Sequence, residues 1–345
     1  MIQRGAVPRC TAQDWLADPA HTRAWHCALE QGLRAVGSTR PNPPVGAVII
    51  SPNGQVCGQG HTQPPGSAHA EIMALHQAGT AARGATAVVT LEPCNHTGRT
   101  GPCSKALIDA GVARVVIGTT DPNPHAAGGI SSLIAAGIEV IVLDIVSEAL
   151  RPWLHWVTTG RPWVTWKVAH TLDGFIAAED GTSQWITSEQ ARAAAHVDRA
   201  HRDAIVVGTG TVLADNPRLT ARDTDGSLLE RQPEPIVIGG RPIPDSFHLA
   251  TRGVRQFSSI EQAWEYLGAQ GHANVLVEGG AGLAHSLLSQ AMVDEIHAYI
   301  APKILGKGTP MIGGVVGSTL SDAQQFEIVE TTPLGPDLRL VLRRQ

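Results

Sequence analysis

One imidazole, two thiolates and a carboxylate stand at suggestive spacing in the first third of the chain: His69-Ala70-Glu71, then Pro93-Cys94, then Cys103. His69, Cys94 and Cys103 make a three-ligand set for zinc with a fourth position left to water, the way catalytic zinc is held. Two thiolates and a neutral imidazole cancel the dication's charge yet leave enough Lewis acidity to ionise bound water near neutrality. Glu71 is not needed as a ligand and is free to carry protons. A structural site would instead close its fourth position, for which His76 and His96 are the candidates, and would have no use for Glu71.

Elements must bring these groups together. Residues i and i+2 in mid-helix point about 200° apart and cannot share a site, so His69 and Glu71 are expected at the first turn of a helix, His69 to Ala78. There the helix N-terminus also favours negative charge on Glu71. Cys94 follows a proline and Cys103 opens the pattern Cys103-Ser104-Lys105-Ala106-Leu107-Ile108, so both thiolates are expected at helix starts, where their pKa is lowered. The order His-x-Glu followed by Pro-Cys, with a glutamate that is not a ligand, is the arrangement of zinc-dependent deaminases.

Around this set the chain reads as layered α/β. A helical pattern covers Ala20 to Val36, and strand runs follow at Val45 to Ile50, Gln55 to Gly60, Thr86 to Leu91, Ala113 to Ile117 and Ile138 to Leu143, with Pro52-Asn53-Gly54 as a hairpin turn. Residues 1–20 read as an irregular extension and 21–149 as the first domain. Two Arg-Pro steps break the pattern, so 150–162 reads as a linker and 163–345 as a second α/β domain. Its strand runs are Trp163 to Ala169, Ala204 to Val207, Pro235 to Ile238, Asn274 to Val277, Glu295 to Ile300 and Leu338 to Leu342. Helical patterns lie at Ser188 to Arg199, Ile260 to Leu267 and Ala281 to Gln290.

Composition narrows the partners. A net charge of −5 without any basic run argues against a nucleic-acid surface and favours a small-molecule substrate. No apolar run reaches the roughly 18 residues of a membrane span, and the N-terminal residues lack the pattern of a secretory signal, so the chain reads as cytoplasmic. Five cysteines suit a reducing compartment better than a disulfide framework. Cys10, Cys27 and Cys57 read as small packing residues.

Eight residues, Asn95 to Pro102, separate the two cysteines, where base and nucleoside deaminases usually have two. At this loop the chain resembles the bifunctional riboflavin-biosynthesis deaminase/reductase family. The likeness extends to Pro41-Asn42-Pro43, Thr90-Leu91-Glu92-Pro93-Cys94, Asp121-Pro122-Asn123-Pro124, Leu172-Asp173-Gly174, Trp185-Ile186-Thr187, Thr211-Val212-Leu213-Ala214-Asp215-Asn216-Pro217 and Ala301-Pro302-Lys303, running from about residue 21 to the end. It implies a cytidine-deaminase-like α/β/α sandwich followed by a dihydrofolate-reductase-like α/β domain. It also implies one catalytic zinc, NADPH and a homo-oligomer. The implied chemistry is hydrolytic deamination of 2,5-diamino-6-(5-phosphoribosylamino)pyrimidin-4(3H)-one, then reduction of its ribosyl chain to ribityl. By the same likeness Asn42, His61 and His96 hold the ring and sugar phosphate of the deaminase substrate.

In the second half, Val275 to Val277 run through glycines into a helix, so that backbone amides can approach a phosphate. The spacing is not GxGxxG, and a Rossmann domain is not expected. The resemblance assigns the dinucleotide to Ala169, Trp185, Thr211, Asp215 and the segment Gly280, Ala281, Gly282, Leu283, Ala284, His285 and Ser286. It assigns the reductase substrate to Ser183, Arg199, Leu219, Arg222 and Glu278, with the two arginines as phosphate clamps. Asp215 and Glu278 are the candidate proton donors. Gly239-Gly240 stands where the family usually has Asp-Ser. A zinc deaminase whose second domain only binds a regulatory nucleotide is the competing reading; a nucleic-acid editing deaminase is disfavoured by the charge.

Overall fold

Unbroken runs of Val, Ile and Ala can only be buried on both faces, and such runs form the centre of the first sheet. A computed structural model describes residues 11–96 and 101–345; Cys10 and residues 97–100 of the loop between the cysteines lie outside the described residues. The chain divides after Gly160 into two units.

The first unit holds α1 (Ala12–Leu16), α2 (Pro19–Ala35), β1 (Gly46–Ile50), β2 (Val56–His61), α3 (Ala70–Ala78), β3 (Thr86–Leu91), α4 (Cys103–Ala110), β4 (Arg114–Thr119), α5 (Gly129–Ala135), β5 (Glu139–Val142) and α6 (Arg151–Thr159). Its sheet runs β2-β1-β3-β4-β5, with β1 antiparallel to both neighbours and β3, β4 and β5 parallel. Val48 and Ile50 join Val88, Val116, Trp15 and Trp25 on the face covered by α1 and α2. The alternate residues meet α3, which lies so close that a methyl group at Gly58 would stand 2.1 Å from the Ala74 carbonyl oxygen. The result is the expected three-layer sandwich. Gly46 pairs with His61, and Leu91 with Thr119, so the segments around Asn42, His61, His69 and Cys94 converge at one end of the sheet.

Two expected boundaries are corrected here. Residues 11–20 are not irregular: Thr11 and Asp14 form a reciprocal cap on α1, Trp15 is 2% exposed within the core, and Asp18 caps α2. A five-residue helix has too little periodicity to be read from sequence, and its tertiary anchor, Trp15 stacked on His21 at 4.5 Å, decides it. Nor is 150–162 a linker. Pro152 occupies the first turn of α6, where a missing N–H is tolerated, Leu150 is fully buried, and Trp153 Nε1 donates to the Pro41 carbonyl at 3.1 Å.

The second unit holds β6 (Trp163–Thr171), β7 (Phe175–Ala178), α7 (Glu189–Ala200), β8 (Ala204–Gly208), α8 (Thr209–Asp215), β9 (Glu234–Ile238), α9 (His248–Thr251), β10 (Arg255–Phe257), α10 (Ile260–Ala269), β11 (Asn274–Val277), α11 (Ala281–Ser289), β12 (Glu295–Ala301), β13 (Gly308–Pro310), β14 (Phe326–Leu334) and β15 (Asp337–Arg344). The main sheet runs β10-β9-β8-β11-β6-β12-β15-β14, parallel from β10 to β12 and antiparallel over the last two strands. The chain leaves β8 for β9 and β10 on one side, then returns to place β11 on the other. That reversal makes the carboxyl end of β8 a topological switch point, where α/β sheets bind ligands.

Candidate active sites

In the first unit the ligand set is assembled by three helix and strand ends. His69 is the N-cap of α3 with extended backbone (φ −76°, ψ 165°), and Glu71 follows in the first turn, as the His-x-Glu spacing requires. Cys103 is the first residue of α4. Cys94 is not at a helix start, contrary to expectation: it lies in the segment leaving β3. Its sulfur still reaches the start of α4, accepting from the Cys103 N–H at 3.4 Å.

His69 Nδ1 stands 3.5 Å from Cys94 Sγ and 3.4 Å from Cys103 Sγ. Tetrahedral zinc with ordinary bond lengths spaces nitrogen and sulfur ligands about 3.5 Å apart, so the donor set fits that ion in chemistry and in spacing. Burial lifts the Glu71 carboxyl to about 7, and negative charge on Cys94 pushes the same way. That is the range in which a carboxyl can both take and give a proton near neutrality. The hydrogen bond from Cys103 brings the Cys94 thiol down to about 4 and raises its own.

The loop bearing Cys94 is pinned by groups the sequence reading left without a role. Glu92 is 7% exposed; one carboxylate oxygen accepts from the N–H groups of Gly128 at 3.0 Å and Ile130 at 3.1 Å, the other from Asp121 at 3.2 Å. Asn95 Oδ1 accepts from the hydroxyls of Ser104 at 2.8 Å and Ser132 at 3.0 Å. Of the expected substrate residues, His61 ends β2 with Nδ1 3.2 Å from Gln31 Oε1, and the Asn42 N–H donates to the Thr39 carbonyl at 2.8 Å. His96 is exposed beside Asp121, whose carboxyl burial raises.

In the second unit a cleft of about 800 Å³ opens at the switch point. Thr211, Asp215, Gly280, Ala281, Gly282, Leu283 and Ser286 line it, so most of the expected dinucleotide residues are brought together, and Ser183, expected at the substrate, lines the same cleft. The Gly280 N–H donates to Thr211 Oγ1 at 3.1 Å, tying the glycine turn to α8. Four members of the expected set do not line it: Trp185 lines a second, smaller cavity, Ala169 packs against Ala191, Ala195 and Tyr299, and Ala284 and His285 turn away from the cleft. Ala284 is fully buried in the core because helix periodicity turns it inward, and His285 packs its ring beneath Gly314, where a methyl group would stand 2.7 Å away.

A smaller cavity of about 220 Å³ is lined by Lys167, Trp185, Thr187, Arg192, His196, Arg199 and Tyr299, among others. Ala169 sits two residues beyond Lys167 on β6, packed with Ala191, Ala195 and Tyr299. Arg199 is not free to clamp a phosphate with its fork: Nε and Nη2 each donate to Glu278 at 2.7 Å, and Nη1 donates to the Thr220 carbonyl at 3.0 Å. Burial pushes Glu278 up, but the charges of Arg199 and Lys167 outweigh it and hold the carboxyl at about 2. Glu278 therefore carries no proton to donate near neutral pH. Arg222 is occupied by Thr220 Oγ1 at 2.9 Å and the Gly226 carbonyl at 2.8 Å and lines neither cavity. Leu219 is 4% exposed with φ +50°, so only its backbone is available to a ligand. Arg192 and His196 escaped the sequence reading, although with Arg199 they recur at i, i+4 and i+7 along one face of α7. Arg192 stacks on the Trp185 ring at 4.3 Å, and Lys303 Nζ donates to the Trp185 carbonyl at 2.8 Å.

Comparison with known proteins places both halves. Residues 19–119 match the cytidine and deoxycytidylate deaminase zinc-binding region, and residues 162–340 match the RibD C-terminal domain. The riboflavin biosynthesis protein RibD of Corynebacterium ammoniagenes is 50% identical over 317 residues, 90% of this chain and 94% of the relative. RibD of Escherichia coli is 39% identical, over 91% of this chain and 97% of the relative. Among solved structures, Acinetobacter baumannii RibD superposes with a TM-score of 0.84 at 35% identity, covering 94% of this chain and 98% of that one. The Thermotoga maritima diaminohydroxyphosphoribosylaminopyrimidine deaminase/5-amino-6-(5-phosphoribosylamino)uracil reductase gives 0.83 at 32%, covering 94% and 99%.

Proposed function

The chain belongs to the RibD family of bifunctional riboflavin-biosynthesis enzymes, and on that premise we propose how its own residues divide a zinc-dependent deamination and an NADPH-dependent reduction. The observation that carries the proposal is the meeting of His69, Cys94 and Cys103 around a buried Glu71.

His69, Cys94 and Cys103 hold one zinc ion, which supplies the Lewis acidity that ionises water near neutral pH. Glu71 does the proton work on 2,5-diamino-6-(5-phosphoribosylamino)pyrimidin-4(3H)-one. It takes a proton from the attacking water and passes it to the ring nitrogen, then takes the second proton, from the hydroxyl added at C2, and passes it to the amino group, which leaves as ammonia. Glu92 and Asn95 fix the segment that carries Cys94, and Asn42, His61 and His96 orient ring and sugar phosphate at the same end of the sheet.

In the second unit the 800 Å³ cleft takes the dinucleotide along Thr211, Asp215 and the turn Gly280 to Leu283. NADPH supplies the hydride; the chain's task is to hold the open-chain sugar against the nicotinamide, where positioning matters more than acid strength. The 220 Å³ cavity, with Lys167, Trp185 and Arg199, borders the substrate. Ser183 joins it from the cleft side, and Arg222 and Leu219 contribute through the loop that precedes β9.

The enzyme acts on a small molecule, and among the described residues no helix is long and apolar enough to cross a membrane. We infer a cytoplasmic homo-oligomer without a nucleic-acid partner: the net charge is −5, and Val315 at 73% and Leu320 at 93% exposure leave apolar side chains open in the segment between β13 and the edge strand β14. Chelation tests the division of labour. Removing zinc is expected to stop ammonia release while NADPH still binds; simultaneous loss of NADPH binding would contradict two independent sites.

A further inference from the structure

The cleft is lined from the carboxyl ends of several strands. Gly280, which follows β11 next to β6, lines it together with Ile176 and Ser183, while Arg241 follows β9 and Ser258, Ser259 and Glu261 follow β10. By strand order this latter group lies on the side away from β6 and makes up the second arm of the cleft. A dinucleotide whose reactive ring lies toward β6 must send its adenosine half along the second arm.

Three features of that arm bear on what it holds. Gly239 has φ +125°, and a Cβ there would stand 2.5 Å from Thr209 Oγ1, so the turn after β9 is pressed against the start of α8 and tolerates no side chain. Gly240 has nothing within 4 Å of where its Cβ would be, so the second position of the pair leaves open space. The next residue fills that side: Arg241 Nη2 comes 3.0 Å from the place of a Cβ on Gly210, so the guanidinium reaches over the first turn of α8 into the cleft.

Arg241 is also chemically unspent. Its carbonyl accepts from Gln256 Nε2 at 2.8 Å, but among the described residues its guanidinium forms no ion pair within 4.0 Å. The neighbouring polar groups are engaged. The Ser258 hydroxyl donates to Gln262 Oε1 at 2.9 Å, Ser259 Oγ caps α10 by accepting from the Gln262 N–H at 3.3 Å, and Glu261 is held by Ser259 and by its own helix turn. An exposed arginine with its full fork available, on the arm that takes the adenosine half, suits a phosphate dianion bidentately. NADPH differs from NADH by one such group, the 2′-phosphate of the adenosine ribose.

We propose that Arg241 reads the 2′-phosphate of NADPH and sets the enzyme's preference for NADPH over NADH, in place of the side chains that Gly239 and Gly240 lack. The inference rests on the reading of this cleft as the dinucleotide site. Arg241 lies on the surface, so truncating it leaves the core untouched.

The test is equilibrium binding by the full chain, read from tryptophan-to-nicotinamide energy transfer, with NADPH, NADH and 2′,5′-ADP as competitor. In Arg241→Ala the Kd for NADPH is expected to rise roughly tenfold to a hundredfold, that for NADH to stay within about twofold, and competition by 2′,5′-ADP to weaken in step with NADPH. Arg241→Lys should recover only part of the loss, since an ammonium cannot reproduce the fork. If both dinucleotides weaken equally, or neither changes, the role of Arg241 is overturned while the cleft remains the cofactor site. If the unsubstituted chain binds neither dinucleotide, the reading of the cleft falls and the inference with it.

Discussion

At the scale of single residues the two halves use carboxylates in opposite ways. Glu71 is buried beside a thiolate and is lifted to about 7, where it can exchange protons; Glu278 is buried beside Arg199 and Lys167 and is held at about 2, where it cannot. Replacing Glu71 by Gln should leave one zinc per chain by metal analysis and lower deamination by roughly 10² to 10⁴; loss of the metal would make Glu71 a ligand instead. For Glu278 the folded state holds the carboxyl below its ordinary 4.5. Its contribution to stability is therefore complete above about pH 4.5 and disappears as pH falls toward 2. Glu278→Gln is expected to cost about 3 kcal/mol in urea unfolding of the second unit at pH 7 and progressively less below pH 4.5. A cost independent of pH would contradict the pairing with Arg199. The cluster of His69, Cys94 and Cys103 was legible in the sequence because imidazole and thiolate are the ligand types that zinc prefers. That Arg199 is spent on Glu278 was not, because the two stand 79 positions apart and no periodicity links the pair.

Elements decide how firmly these residues are held. The segment that carries Cys94 crosses the start of α5 so tightly that a Cβ on Gly129 would stand 1.9 Å from the Pro93 carbonyl oxygen. Gly129→Ala must displace Pro93 and Cys94, and is expected to weaken zinc affinity roughly 10- to 100-fold by chelator competition while the rest of the sheet stays folded. Unchanged affinity would show that Cys94 does not depend on this crossing. Buried apolar strands were legible: Thr86–Leu91 and Asn274–Val277 appear at the boundaries the apolar runs suggest. The partly exposed strands β7 and β14 were not. β14 exposes most of its residues and β7 and β13 pair only with each other, so neither carries the alternation of a half-buried strand. α1 and α6 depend on Trp15 and Trp153, single anchors whose partners lie elsewhere in the chain.

For the whole molecule, exposed Ile328 and Val329 on the edge strand β14, with exposed Val315 and Leu320 in the segment that precedes it, predict self-association of the full chain, and light scattering should return at least twice the 36.3 kDa of one chain. A monomer at micromolar concentration would leave that surface without its partner. The α/β class and the two-part organisation followed from sequence because each half carries its own run of strands and helices. The position of the reductase cleft did not, since a switch point is a property of strand order and strand order is not written locally. The central claim is that one chain removes an amino group and then reduces the product's ribose. Supplied with the diaminopyrimidine substrate and excess NADPH, it should release ammonia and oxidise NADPH in a ratio approaching one to one, with ammonia appearing first. Ammonia release with no NADPH oxidation, even when the deaminated product is added directly, would contradict it.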